Sequence, residues 1–382
     1  MLFTLNLVIF VLFGVLVTGS LLPILSTAHW FVRAWDFPRV HILVLSWSAA
    51  IVFFAANLAA DQPSASSLAT VALLTLMLSG WHLTRIIPYT RLVSPQVKSW
   101  SAEKAGDESN HAGRLRMLVT NVEQENDRFD LWKSTVLSAD PDVVIVAEVD
   151  DRWARTLGEL NREYPFQIIH PQHNWYGLAF LSRLPIVESK LRFLVQDDVP
   201  SIDTDIKMQN GDRVRVVAVH PRPPEPIRDN DSSARDAELV LWGREFAGRD
   251  RPTVIGGDLN DVAWSQTTRL FLRLSQLLDP RRGRGFFNTF HADHAWMRFP
   301  LDHLFHSRHF AIREIRRLND VGSDHFPILV DLQLDPEMKP EHDTLDQHAG
   351  DQEEAEERID RAEEAHDLNA ESIDEADRQG IA

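Results

Sequence analysis

The chain has 382 residues, 44% of them hydrophobic and 25% charged, and carries a formal net charge of −17; these averages exclude a wholly disordered or collagen-like polypeptide. It contains no cysteine, which excludes disulfides, thiolate zinc sites and a cysteine nucleophile, and leaves oxygen and imidazole groups to hold any metal. The charge is concentrated at one end: residues 335–382 hold 18 acidic against 4 basic side chains, whereas residues 1–112 and 113–334 balance at +1 and −4.

Residues 1–32 contain no Asp, Glu, Lys or Arg, and residues 2–25 form an apolar run long enough to cross a hydrocarbon layer of roughly 30 Å. A second uncharged run covers 40–60 and a third covers 68–88, where His82 and Arg85 lie near the end and a long side chain can reach the interface. Trp30, Trp35, Trp81 and Tyr89 fall near the boundaries of these runs. Three transmembrane helices are expected over residues 1–90. A cleaved signal peptide accounts only for the first run, which lacks a positive leader region. Arg33 and Arg39 separate spans one and two, and Arg85, Arg91, Lys98 and Lys104 follow span three, while the 61–67 loop carries only Asp61. The excess of Lys and Arg predicts a multi-pass protein with its amino terminus outside and everything after span three in the cytoplasm. No span holds paired ionisable residues, so the helices read as an anchor rather than a conduction path.

Residues 91–112 read as a linker, polar from Pro95 onward. Residues 113–334 then change character. Short apolar runs, LRMLVTN at 115–121, DVVIVAE at 142–148, RVRVVAVH at 213–220, PTVIGGD at 252–258 and FPILVDL at 326–332, predict strands, and the stretches 129–138, 152–162 and 233–246 have helical periodicity. Strands buried on both faces and covered by helices imply a layered α/β domain. Residues 335–382 lack any aromatic residue and predict a disordered acidic tail, with at most a transient helix over 352–365.

The polar residues sit where these strands end. Asn121, Glu148, His220 and Asp258 each close a predicted strand, Asn260 follows Asp258 by two, and Asp324 and His325 lead into the last strand. A carboxylate directly after VVIVA is costly unless it meets a cation or a hydrogen-bond donor.

The segments GGDLND (256–261), PLDHLF (300–305) and GSDHFPILVDL (322–332), preceded by TNVEQEN, VVIVAEV, YGLAFLSRLPI and VVAVHP, resemble in order the motifs of the endonuclease/exonuclease/phosphatase superfamily across 113–334. That family includes nucleases, sphingomyelinases and inositol-phosphate phosphatases. The resemblance implies a four-layered α/β sandwich of two packed mixed sheets flanked by helices. It also implies Mg²⁺ or Mn²⁺ held by Glu148 with Asn121 and Asp324, ions that take oxygen ligands. Asp258 orients or deprotonates the attacking water, and Asn260 positions that water or a phosphate oxygen. His325, oriented by Asp302, acts as base or phosphate stabiliser, and His220 contacts the phosphate or protonates the leaving oxygen. Tyr176 and Arg222 are candidate substrate contacts, as are Arg281, Arg282 and Arg284; Glu123 is either a support for the metal or a solvated loop acid. His303, where the family often has another residue, reads as packing.

A domain balance of −4 offers no Lys-rich groove for duplex DNA. The expectation is a membrane-anchored metal-dependent phosphohydrolase acting on a phosphodiester or phosphomonoester, with a lipid headgroup, small molecule or nucleic acid as substrate. A membrane-tethered endonuclease or exonuclease is the alternative, and a catalytically silent phospholigand-binding adaptor is another. The helices make the bilayer a partner, and no obligate protein partner is inferred.

Overall fold

The computed structural model describes residues 1–25, 27–60, 64–101, 113–224 and 231–379. Asp61, Lys104 and the part of the expected linker from 102 to 112 lie outside them. Four helices come first: α1 (Leu2–Leu21), the short α2 (Trp30–Ala34), α3 (Arg39–Leu58) and α4 (Ala65–Ile86). Three stretches, Leu2–Ile24, Arg39–Leu58 and Ala65–Tyr89, are long and apolar enough to cross a membrane. They close on a common core that includes Phe13, Ile42, Phe53, Val71 and Leu78, while Leu7, Val11, Val44, Ile51, Leu73 and Leu76 face outward, as an apolar solvent requires. The few polar groups satisfy one another. Asn6 and Asn57 exchange two amide hydrogen bonds of 2.9 Å, and Ser20 meets His82 at 2.8 Å.

Two mixed sheets follow. One has the order β10-β11-β1-β2-β4-β3, the other β5-β6-β7-β8-β9. In chain order the strands are β1 (Arg114–Asn121), β2 (Val143–Ala147), β3 (Phe166–His170), β4 (Leu178–Ser182), β5 (Ile186–Arg192), β6 (Ser201–Lys207), β7 (Arg213–Ala218), β8 (Thr253–Asp258), β9 (Asp302–His306), β10 (Phe310–Arg317) and β11 (Ile328–Leu334). The sheets pack face to face through Val119, Ile145, Phe180, Val216, Val254, Leu304 and Val330. Helices α5 (Phe129–Ala139) and α6 (Asp151–Gly158) cover the first sheet's outer face with Trp132 and Trp153, and α7 (Ser233–Phe246) and α8 (Gln266–Ser275) cover the second with Trp242, Phe246 and Phe271. The expected four-layered sandwich is the observed one.

β1 and β2 run parallel, as do β7 and β8, so each pair ends at the same sheet edge and sends its loops the same way. Gly257 keeps two of these loops close. It has φ +153°, and a Cβ there would stand 1.7 Å from the Val219 carbonyl oxygen, so no side chain fits.

Two expectations are corrected. The segment after residue 334 is not a solvated tail: helix α9 (Asp351–Gln379) lies on α7 and α8, with Ala355 in a small core beside Val240, Leu270 and Leu274. Small side chains let the helix lie close, and its charges are matched: Asp351 accepts from Arg273 Nε at 2.9 Å, and Arg358 Nη1 donates to Asp236 at 2.9 Å. Composition alone underweights such paired burial. Nor is the described part of the linker a free tether. Val97 is buried in the core between the sheets, Gln96 N–H donates to the Arg282 carbonyl at 3.2 Å, and Trp100 N–H donates to that of Ile312 at 2.8 Å.

The bundle of apolar helices is fastened to the domain at further points. Tyr89 Oη donates to the Ala263 carbonyl at 2.6 Å, Trp264 Nε1 donates to the Asp36 carbonyl at 2.7 Å, and Arg33 pairs with Asp236.

Candidate active site

Because the parallel strands end together, their terminal residues meet. Asn121 closes β1 and its Nδ2 donates to Glu148 Oε1 at 2.8 Å and to Asp258 Oδ2 at 3.0 Å, joining the two sheets through one amide. Glu148, one residue past β2, adopts φ +64°, a conformation that costs a non-glycine residue of order 1 kcal/mol or more and concentrates at functional sites. Its second oxygen accepts from Gln124 N–H at 3.1 Å. Glu123 (φ +55°) and Asn260 (φ +51°) share that backbone state.

Asp258 ends β8 as a buried carboxylate that also accepts from Asn260 N–H at 2.9 Å. Asn260 Nδ2 donates to the Pro221 carbonyl at 3.0 Å. His220 Nδ1 lies 3.2 Å from the Asp258 carbonyl; a carbonyl only accepts, so Nδ1 carries the proton and the other ring nitrogen is left for chemistry.

Asp302 starts β9, its N–H donating to Thr289 Oγ1 at 3.1 Å and its Oδ2 lying 2.7 Å from His325 Nδ1. His325 Nε2 lies 3.6 Å from Asp258 Oδ2 and 3.9 Å from Asp324 Oδ1. Burial opposes charge on this ring, yet Asp302 and Asp258, with Asp324 behind them, outweigh it and push its pKa up to about 10. His325 is therefore an imidazolium at neutral pH.

On the other side acids crowd one another. Asp324 N–H donates to Glu123 Oε2 at 2.9 Å. Burial, and beside it Glu123, Glu148 and Asp258, push the Asp324 carboxyl up to about 7 against the opposing pull of His325. Glu148 is likewise raised, chiefly by burial. The acids crowded around Asp324 leave a local shortage of positive charge that a hard divalent cation would relieve. Asp258, Asp302 and His325 also bring one ligand atom each to within 4.8 Å of the others, so Asp258 is common to both groups. The 2.7 Å hydrogen bond occupying His325 Nδ1 favours the oxygen-rich side.

Of the expected substrate contacts, Tyr176 is buried with its ring 5.9 Å from that of His220, and Arg222 lies over Tyr176 at 4.7 Å while its Nη2 donates to Asp198 at 2.6 Å. The other arginines are elsewhere. Arg281 is buried against Asp279 (2.8 Å) and His303 (2.5 Å), Arg282 lies over Tyr89, and Arg284 donates to the Val97 carbonyl. Arg281 is spent inside the domain, and Arg282 and Arg284 tie residues 89–99 to it, which corrects their reading as phosphate contacts. His303 is a packed residue that also meets the Asp261 carbonyl at 2.8 Å.

Three supports escape sequence reasoning. Thr289 holds the Asp302 backbone, the Phe290 ring lies tilted 5.0 Å from that of His325, and Arg235 Nη1 donates to the Asn260 carbonyl at 2.7 Å. Each acts across a long sequence separation, and only a charge inside the 233–246 helical stretch hinted at the last.

A two-sheet sandwich whose strand ends gather acids, amides and an Asp-oriented imidazolium defines a phosphoester-hydrolase type of site. The profile of the Endonuclease/Exonuclease/phosphatase family matches residues 116–325, more than half of the chain, and the protein belongs to that family, whose members are generally metal-dependent hydrolases of phosphoester bonds. Solved structures similar in fold include the endonuclease/exonuclease/phosphatase from Beutenbergia cavernae (18% identity, 58% of this chain and 72% of that one, TM-score 0.49). Others are that from Bacteroides vulgatus (18%, 58% and 99%, 0.48) and the human Nocturnin catalytic domain with bound sulfate (18%, 58% and 94%, 0.48). Among curated proteins none matches.

Proposed function

We propose that this protein is a membrane-anchored, divalent-metal-dependent phosphohydrolase that cleaves a phosphodiester or phosphomonoester. The observation that carries this reading is the convergence of Asn121, Glu148, Asp258, Asp302, Asp324 and His325, drawn from both sheets, onto one constellation of hydrogen bonds and ion pairs. Glu148 and Asp324 would hold Mg²⁺ or Mn²⁺, with Asn121 helping and Glu123 behind Asp324. When bound, the ion polarises a phosphoryl oxygen and offsets charge in the transition state.

The chain's own groups do the rest. Asp258, held in place by the Asn121 amide and the Asn260 N–H, takes the proton of the attacking water. Asn260 positions that water or a phosphate oxygen. His325, held as imidazolium by Asp302, offers Nε2–H to a phosphate oxygen, and His220 meets the leaving oxygen. Tyr176 and Arg222 form the wall next to His220 and contact the substrate. The bilayer is reached through the three apolar helices, and a cytoplasmic domain is the orientation that the Lys and Arg excess on its side, from Arg33 to Lys98, supports.

The test is hydrolysis of bis(p-nitrophenyl) phosphate by the full chain in nanodiscs, with Mg²⁺ or Mn²⁺ and then with EDTA. Metal-dependent turnover lost in Asp258→Ala is the expected result. Turnover that survives both EDTA and Asp258→Ala sinks this reading.

A further inference from the structure

The loop from Phe290 to Phe299 touches the catalytic residues on one side and a membrane helix on the other. On the inner side, Phe290 bridges to His325, and Ala292 N–H donates to the Asp324 carbonyl at 2.6 Å. Phe290 N–H donates to the Phe299 carbonyl at 3.0 Å, and Arg298 Nη2 donates to that of Ala292 at 3.0 Å, so the loop is closed on itself. On the outer side, the Phe299 ring lies 5.4 Å from Phe37 and 5.7 Å from His41, and the His41 ring bonds the Trp296 carbonyl. His41 belongs to the first turn of α3 (Arg39–Leu58), a candidate membrane span.

A backbone carbonyl that meets the first turn of a spanning helix lies at the depth of the lipid headgroups. At that depth the loop presents Trp296, 70% exposed and the most exposed large apolar side chain among the described residues of 113–334. An indole open to water forfeits roughly 1.5–3 kcal/mol of burial, whereas the headgroup layer accommodates both its ring and its N–H. Leu92 (84% exposed) follows the third apolar stretch, and Phe31 (48%) projects from α2 between the first two stretches, so the same end of the bundle carries three outward apolar side chains.

We propose that Trp296 seats the 290–299 loop in the headgroup layer and that the site beside it hydrolyses the phosphodiester of a phospholipid of the same bilayer. This rests on the phosphohydrolase reading above. Water adds to phosphorus, the bond to the glycerol oxygen breaks, and that oxygen takes a proton and leaves as diacylglycerol while the phosphorylated headgroup is released. The loop that presents Trp296 also carries Phe290, which bridges to His325, and this aligns the site with a substrate that never leaves the membrane. The domain's net −4 gives a polymeric nucleic acid no overall electrostatic attraction.

The absence of cysteine makes Trp296→Cys a unique attachment point for a nitroxide label. With the full chain in nanodiscs of phosphatidylcholine and phosphatidylglycerol, that label is expected to be relaxed more by oxygen than by an aqueous nickel chelate, and a label on Leu191→Cys, exposed on β5, the reverse. Equal access to the nickel chelate at both positions overturns the seating. In the same nanodiscs diacylglycerol is expected to appear, and Trp296→Ser is expected to lower the ratio of lipid to bis(p-nitrophenyl) phosphate turnover about tenfold. Hydrolysis of the aryl ester with the lipids intact, or preferential cleavage of plasmid DNA, overturns the lipid assignment and leaves the phosphohydrolase reading standing. Inactivity on every substrate overturns both, and the label still decides the position of the loop.

Discussion

Two buried acidic centres in this protein treat charge in opposite ways. Around Asp236 on α7, one carboxylate meets three guanidinium groups, from Arg33 on α2, Arg235 and Arg358 on α9. Burial works against its ionisation, and the three cations outweigh that and hold its pKa well below the usual carboxylate range. Around Asp324, several carboxylates meet one imidazolium, and the pKa moves up to about 7. The first centre is satisfied by the chain itself and acts as a clasp. The second is left short of positive charge, which is what a site built to receive a cation requires.

The strongest way to break this contrast is to remove one acid from each centre. Glu148→Ala is expected to lower phosphoester turnover by about 10³-fold while melting no earlier than the parent, because it relieves repulsion; a large fall in melting temperature would contradict the comparison. Asp236→Ala is expected to do the opposite, destabilising by about 3–5 kcal/mol because it strands buried arginines, as a urea titration of the nanodisc-borne chain would read out.

Glu238, two residues from Asp236 on the same helix, sharpens the point because no cation reaches it. It accepts only from Ser201 Oγ, at 2.6 Å, and from Trp242, and burial pushes its pKa from 4.5 up to about 7. A carboxyl raised on folding contributes stability that is complete below pH 4.5 and is lost as the pH rises through 7. At about 1.4 kcal/mol per unit the loss is of order 3 kcal/mol. Glu238→Gln is therefore expected to match the parent near pH 4.5 and to be more stable at pH 8; equal melting temperatures at both values would refute it. Metal tests the other centre. A hundredfold excess of Mn²⁺ over its dissociation constant is expected to add roughly 2.7 kcal/mol to the parent and clearly less to Glu148→Gln, measured by thermal shift.

The smallest expected effect lies between the centres. Arg235 bonds Asp236 through Nε and Nη2 and the Asn260 carbonyl through Nη1, so it links the clasp to the catalytic loop. Arg235→Lys keeps the charge but cannot span both partners. A several-fold loss in kcat with KM unchanged is expected, and an unaltered kcat would remove Arg235 from the positioning of Asn260.

Much of this arrangement is legible in the sequence, for identifiable reasons. β1, β2, β7, β8 and β11 each have neighbours on both sides, so they are written as continuous apolar runs. β5 is an edge strand with mostly exposed residues and lacks that signature. The residues that close the central strands were readable because an acid or amide after an apolar run needs a partner. Thr289, Phe290 and Arg235 were not, since their partners come from distant segments. The packing of α9 was hidden for a related reason: its outward composition is that of a soluble helix, and its buried face is built from alanines and paired charges. Helix α7 reads as amphipathic alone, yet it is buried on several sides: Glu238 faces Ser201 and Arg235 faces the Asn260 carbonyl, while α9 covers Val240 and Asp236.

The Asp236 clasp also constrains the order in which the protein is made. Arg33 and Asp236 are 203 residues apart in the chain, and Arg358 follows Asp236 by 122. The apolar helices emerge from the ribosome long before the carboxylate that fastens them, and the last arginine comes later still. Contacts this remote carry a loop-closure cost that local contacts do not, so the apolar helices form while the α/β domain still lacks its lock. Closing the clasp is then a late, maturation-like step, in which synthesis of the final helix secures a catalytic loop whose residues were made about a hundred positions earlier.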